Sequence, residues 1–240
     1  LRGGARGVDG NRNGSCDMKH GFALLLAGLC VIGPDAAGAG DLDMTVPAEP
    51  APARRATSIG IEFSPEYYAR DTSSHDAGDW ADNTLKVSLS HSFDNNWILG
   101  GYVQTTFKAD DKYQYYGEGS LGYRFRFERF SLTPSVALGY TWDSTGITID
   151  DVPDSDAFYY AFYLAGDWKL SDKWTWNAFN LRYRNAFDAT WETPKVGTGI
   201  TYAIDAANSV SVNVGYSWKD TGEGLEGDKV NAAFGYKHAF

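Results

Sequence analysis

The sequence predicts an all-β fold: an up-and-down antiparallel barrel of about ten strands that crosses a membrane, with eight or twelve strands as alternatives. Three observations predict it. From Ser58 onward the chain falls into ten segments in which apolar residues alternate with small or polar ones, aromatic residues gather at the ends of those segments, and short connections alternate with longer ones. The length of 240 residues suits one domain. Outside residues 22–32 no apolar run is long enough to cross a bilayer as a helix. The 8 Trp, 15 Tyr and 27 Gly suit pleated strands and tight turns better than helices.

Residues 1–17 (LRGGARGVDGNRNGSCD) have no apolar pattern and precede a possible start at Met18, so they are read as an upstream gene-model extension. Residues 18–39 read as a signal peptide: Met18-Lys19-His20 is the basic start, FALLLAGLCVI the apolar core, and Ala37-Gly38-Ala39 the cleavage pattern. Cys30 admits a lipoprotein alternative, although Leu29 stands where such a site wants a small residue. Cleavage after Ala39 removes Cys16 and Cys30, so no disulfide could hold the mature chain and strand pairing must. From Gly40 onward 17 Lys and Arg face 28 Asp and Glu, a balance that speaks against nucleic acid as a partner. Residues 40–57 form a Pro/Ala-rich periplasmic linker whose prolines cannot donate to a ladder, and the barrel is expected over 58–240.

The expected strands are 58–70, 82–93, 97–108, 113–126, 130–142, 157–170, 174–187, 195–204, 209–219 and 228–240. Connections 94–96, 127–129, 171–173 and 205–208 are short; 71–81, 143–156, 188–194 and 220–227 are longer, with 109–112 the exception. In 130–142, Phe130, Leu132, Pro134, Val136, Leu138, Tyr140 and Trp142 share one face, and Ser131, Thr133, Ser135, Ala137, Gly139 and Thr141 the other. A soluble β-sandwich would show the same alternation. Aromatic placement separates the two: Phe93 and Trp97, Phe127 and Phe130, and Trp168 and Trp174 flank short turns, while Tyr140, Trp142, Phe158, Tyr160, Trp191 and Trp218 lie by the long loops. Two such belts are expected where rings sit at headgroup depth.

The last segment, 229–240 (KVNAAFGYKHAF), puts Val230, Ala232, Phe234, Tyr236, His238 and Phe240 on one face and ends in Phe240. It resembles the terminal strand of bacterial outer-membrane β-barrels. That resemblance implies Phe240 as part of a signal read by the barrel assembly machinery, and outer-membrane lipid and lipopolysaccharide as surroundings. Residues 83–93 (NTLKVSLSHSF) and Leu181-Arg182-Tyr183-Arg184 are similar to the second hairpin and the Arg-Tyr-Arg strand of the oligogalacturonate-specific porins. Those are small monomeric channels, so a monomer with inward arginines facing acidic solutes is implied. The strand count here is ten where that family has twelve, and the motif is four residues long.

With the apolar faces toward lipid, the lumen receives small residues: Ser88, Ser90 and Ser92; Gly197, Gly199, Thr201 and Ala203; Asn231, Ala233, Gly235 and Lys237. The charged candidates for the same wall are Glu62, Glu66, Lys86, Glu118, Arg124, Arg126, Asp167, Lys169, Arg182 and Arg184. Arg182 and Arg184 share a face and either form a ladder for anionic solutes or pair with Glu62, Glu66, Glu118 or Asp167 in a network that plugs the barrel. Acidic loop residues, Asp110, Asp111, Asp150, Asp151, Asp154, Asp156, Glu223, Glu226 and Asp228, are either solvated or hold divalent cations. For an enzyme, His91 and His238 fall on apolar faces at strand ends, and His75 between Asp71 and Asp76 lacks further catalytic partners. The expectation is therefore a non-enzymatic, narrow passive channel for small hydrophilic solutes, without cofactor or metal, lined by Arg124, Arg182 and Arg184 together with Glu62, Glu66, Glu118 and Asp167. The alternative is a non-conducting structural or adhesin-type barrel working through loops such as 143–156, and a barrel hydrolase is the remote one.

Overall fold

The computed structural model describes residues 57–72, 74–108, 112–142 and 156–240. The expected extension, signal peptide and linker up to residue 56, the pair Asp110 and Asp111, and loop 143–155 lie outside the described residues.

The strands are β1 (Thr57–Tyr68), β2 (Trp80–Ser92), β3 (Trp97–Lys108), β4 (Tyr113–Tyr123), β5 (Phe125–Arg126), β6 (Phe130–Trp142), β7 (Ala157–Lys169), β8 (Trp174–Ala186), β9 (Lys195–Ala203), β10 (Asn208–Asp220) and β11 (Leu225–Ala239). β5 continues β4 after a break at Arg124, whose N–H donates to the Asn96 carbonyl at 2.9 Å, so ten strands form the wall. Each pairs antiparallel with its sequence neighbours, and β1 pairs with β11, which closes the ring. Closure leaves no free strand edge, the condition under which a sheet can sit in hydrocarbon.

The wall is inside out relative to a soluble protein. Val103, Leu138 and Phe158 point outward and are 60%, 64% and 63% exposed, and the same face carries Ile59, Ile61, Leu89, Val136, Val212 and Phe234. The buried apolar residues on the inner face are mostly small: Ala137, Ala157, Ala161 and Ala233. An apolar band on every strand would be unstable in water and is what lipid stabilises, which decides against the sandwich and makes this a transmembrane barrel.

Two differences from the sequence reading have local causes. The loop expected over 220–227 is a turn of residues 221–224, because Asp220 pairs with Leu225 and Lys219 with Glu226. Gly222 and Gly224 take φ of 81° and 143° there, conformations closed to most side chains. Arg70 fastens this hairpin by donating from Nε to the Gly227 carbonyl at 2.8 Å and pairing with Glu226. Second, β8 carries a bulge between Asn177 and Asn180. It reverses the facing: Trp174 and Trp176 point outward, yet Arg182 and Arg184, also at even positions, point inward.

Candidate functional site in the barrel lumen

Inward side chains enclose a cavity of about 440 Å³, with Glu62, Glu66, Lys86, Glu118, Arg182 and Lys195 on its wall. Small groups from β2, β3, β4 and β9, among them Ser88, Ser90, Gly100, Ser120 and Gly197, keep it from being filled.

On the β1–β2 side the charges are paired. Lys86 Nζ lies 2.5 Å from Glu62 Oε1, Lys229 is ion-paired with Asp82, and both Lys229 and Lys195 lie 3.9 Å from Glu66. Neutral bonds fill the gaps: Asn231 Nδ2 donates to Ser64 Oγ at 2.8 Å, and the hydroxyls of Thr84 and Thr106 are 3.1 Å apart. Asp82 is only 3% exposed, so its carboxylate depends on Lys229 for compensation.

On the opposite side tyrosines hold the acid. Tyr163 donates to Glu118 at 2.7 Å and Tyr102 at 3.0 Å, two charge-assisted bonds that fix the carboxylate against the wall. Tyr163 is the cross-strand neighbour of Arg182, and Lys195 is its neighbour on the other side. Arg182 Nη2 donates to the Thr193 carbonyl at 3.3 Å, while its Nε has no hydrogen-bond partner among the described residues.

Arg184 does not line this cavity. Its guanidinium carbon lies 4.3 Å from the ring centre of Trp191, 4.9 Å from Tyr116 and 5.3 Å from Tyr159, and Nε donates to Thr193 Oγ1 at 3.1 Å. Each such contact contributes about 0.5–2 kcal/mol, rising as water is excluded. Trp191 belongs to this cluster and is 8% exposed, which corrects its expected place in the interfacial belt. Its backbone N–H is anchored on Asn185 Oδ1 at 2.7 Å, and the strand direction of β9 continues backward through Thr193 to turn the indole inward.

The remaining candidates lie elsewhere. Asp167 accepts from Asn177 Nδ2 at 2.9 Å and Arg124 sits at the break before β5, both toward the short-turn end and off the cavity wall. Arg126 and Lys169 keep the inner register, opposite Ser131 and Thr175, but are exposed at the short-turn end, where Lys169 is bonded to Asp172 at 2.8 Å. His75 stacks on Tyr68 with ring centres 3.3 Å apart, His91 Nδ1 lies 2.8 Å from Thr57 Oγ1, and His238 Nδ1 2.9 Å from Asn208 Oδ1. Asp71 spends its Oδ1 on the Ala77 N–H at 2.7 Å rather than on His75. Phe240 stacks edge-on against His238, and its N–H donates to the Thr57 carbonyl at 2.8 Å.

Sequence reasoning missed Asp82, Lys195 and Lys229 and the inward tyrosines 102, 116, 159 and 163. The period of two offered a signal for most of them: Tyr116 is in phase with Glu118, and Lys195 with Gly197.

No protein-family model and no curated protein matches the chain. Among solved structures it is similar to a KdgM porin at 16% identity and TM-score 0.41, covering 75% of this chain and 99% of that one. It is similar to a NanC porin at 10% identity and TM-score 0.42, covering 77% and 100%. The COG4313 outer membrane channel from Pseudomonas putida F1 aligns at 13% identity and TM-score 0.43, covering 80% and 100%. Likeness this distant says nothing of activity, and the barrel stands on its own hydrogen-bonded ring of ten antiparallel strands.

Proposed function

We propose that the chain is an outer-membrane barrel acting as a narrow passive channel for small hydrophilic solutes, with a preference for anions. The observation that carries this reading is the polar cavity within the wall, where the Arg182 guanidinium has no carboxylate at salt-bridge distance among the described residues. Arg182, a fixed and always-ionised group, stands beside Lys195 and favours negative solutes there, whereas Glu62 and Asp82 are offset by Lys86 and Lys229 and Glu118 is tied to the wall by two tyrosine hydroxyls. Ten strands lie between barrels of about eight that side chains fill and porins of about sixteen or more. Outer-membrane lipid and lipopolysaccharide are the proposed surroundings, the barrel assembly machinery the proposed reader of Phe240, and a monomer the proposed state; neither a cofactor nor catalysis is invoked.

The test is single-channel conductance of refolded residues 40–240 in planar bilayers, with the reversal potential measured in a salt gradient. Discrete openings with anion preference, and a shift of the reversal potential toward cations in Arg182→Ala, are expected. Cation preference unchanged by Arg182→Ala would sink the anion claim.

A second reading, a non-conducting anchor or adhesin, is favoured by the burial of Asp82, Ser64, Thr84 and Asn231 near the long-loop end, each in a bonded pair: Asp82 with Lys229, Ser64 with Asn231 and Thr84 with Thr106. Silence from protein shown to be folded would select it.

A further inference from the structure

Tyr116 and Trp191 come from opposite sides of the barrel. Tyr116 is on β4 and Trp191 on the backward continuation of β9, with β6, β7 and β8 between them in the ring. Their rings nevertheless stack, 6.3 Å apart at 11°. Tyr159 of β7 fills the space beneath, edge-on to Tyr116 at 6.3 Å and to Trp191 at 5.7 Å. Small residues on the wall below, Ala157, Ala161 and Ala186, make room for the rings, and Gly139 lies directly under the Tyr159 ring. Arg184 sits among the three aromatic faces and is 6% exposed, so the guanidinium is spent on holding the cluster and not on a solute.

We propose that Tyr116, Tyr159, Arg184 and Trp191 form a fixed brace across the long-loop mouth that shuts the sector from β4 to β9 and sets the size limit of the pore. This rests on the channel reading above. At the mouth solute then passes only through the remaining sector, by Glu66 and Lys86, and below the brace it reaches the cavity wall of Arg182 and Lys195, so the two arginines of β8 part company: Arg182 meets solute, Arg184 is a strut.

The residues from 57 to 240 contain no cysteine, so single thiols report access cleanly. Ala161→Cys lies under the brace as the cross-strand partner of Arg184, and Ser88→Cys lines the open cavity. In the otherwise wild-type barrel a charged methanethiosulfonate should modify the Ala161 variant at least about tenfold more slowly than the Ser88 variant. Adding Trp191→Ala should erase that protection, and Trp191→Ala alone should raise single-channel conductance about twofold, because roughly half the circumference is released. Tyr116→Ala opens the brace from the other side and should do the same if Trp191→Ala does not fold. Trp191→Phe, which keeps a ring over the guanidinium, should leave conductance unchanged. Equal labelling of the two thiols in the wild-type background, or wild-type conductance in both alanine variants, overturns the proposal. A barrel silent in every background whose Ala161 thiol is protected until Trp191 is removed would discard the channel and keep the brace.

Discussion

Gly139 shows how closely one half of the inner wall is filled. A Cβ placed there would stand 2.2 Å from Cζ of Tyr159, a ring with no exposed surface that Tyr116 and Trp191 hold in place. Gly139→Ala is therefore expected to destabilise the barrel by about 1–3 kcal/mol, the usual cost of overpacking. The measurement is the urea midpoint for unfolding from lipid vesicles, and an unchanged midpoint would mean the ring is free to swing away. This glycine read as one more small lumen residue in the sequence, since alternation gives its face but not what lies across from it. Trp191 was harder still. It falls between strands, where a period of two has no phase, and only the hydrogen bonds of Thr193, Pro194 and Asn185 turn it inward.

The bulge in β8 decides which face its arginines occupy. Residues 174 and 176 are outward tryptophans and residues 182 and 184 inward arginines, so an uninterrupted strand would put both guanidinium groups in lipid. Deleting Ala178 should restore an unbroken ladder and turn Arg182 and Arg184 outward, at a cost of up to about 2–4 kcal/mol for a guanidinium near the midplane and less for Arg184 toward the long-loop mouth. Folded yield in vesicles, read by far-UV circular dichroism and by the mobility difference between heated and unheated protein, is expected to collapse. Preserved yield would mean that the bulge can be rebuilt elsewhere. The strands themselves were legible because lipid on one side and a small-residue lumen on the other enforce strict alternation, as in β6 and β10. Bulges leave no such trace: Asn177-Ala178-Phe179-Asn180 contains neither Gly nor Pro. The clue was a conflict of phase, with tryptophans and arginines both at even positions of one strand.

For the barrel as a body, the question is which solvent its outer face meets. Val136 in the middle of β6 and Phe127 in the turn before it are 52% and 61% exposed, so in water an arginine at either place would cost little. In a bilayer the two diverge: Val136→Arg should lose about 2–4 kcal/mol and Phe127→Arg about 0–1 kcal/mol. The readout is again unfolding from vesicles, and equal small losses would remove the membrane from the account. The pairing of β1 with β11 bears on time as well as stability. These strands meet across almost the whole described barrel, Phe63 against Phe234 and Ser58 against Ala239. A ring fastened between its first and last described strands stays undone until β11 exists, however early the middle hairpins form. Until β11 arrives, β1 and β10 each keep one edge without a partner strand, so entry into hydrocarbon as a closed ring waits on it and the unfinished sheet must meanwhile be kept from other strands.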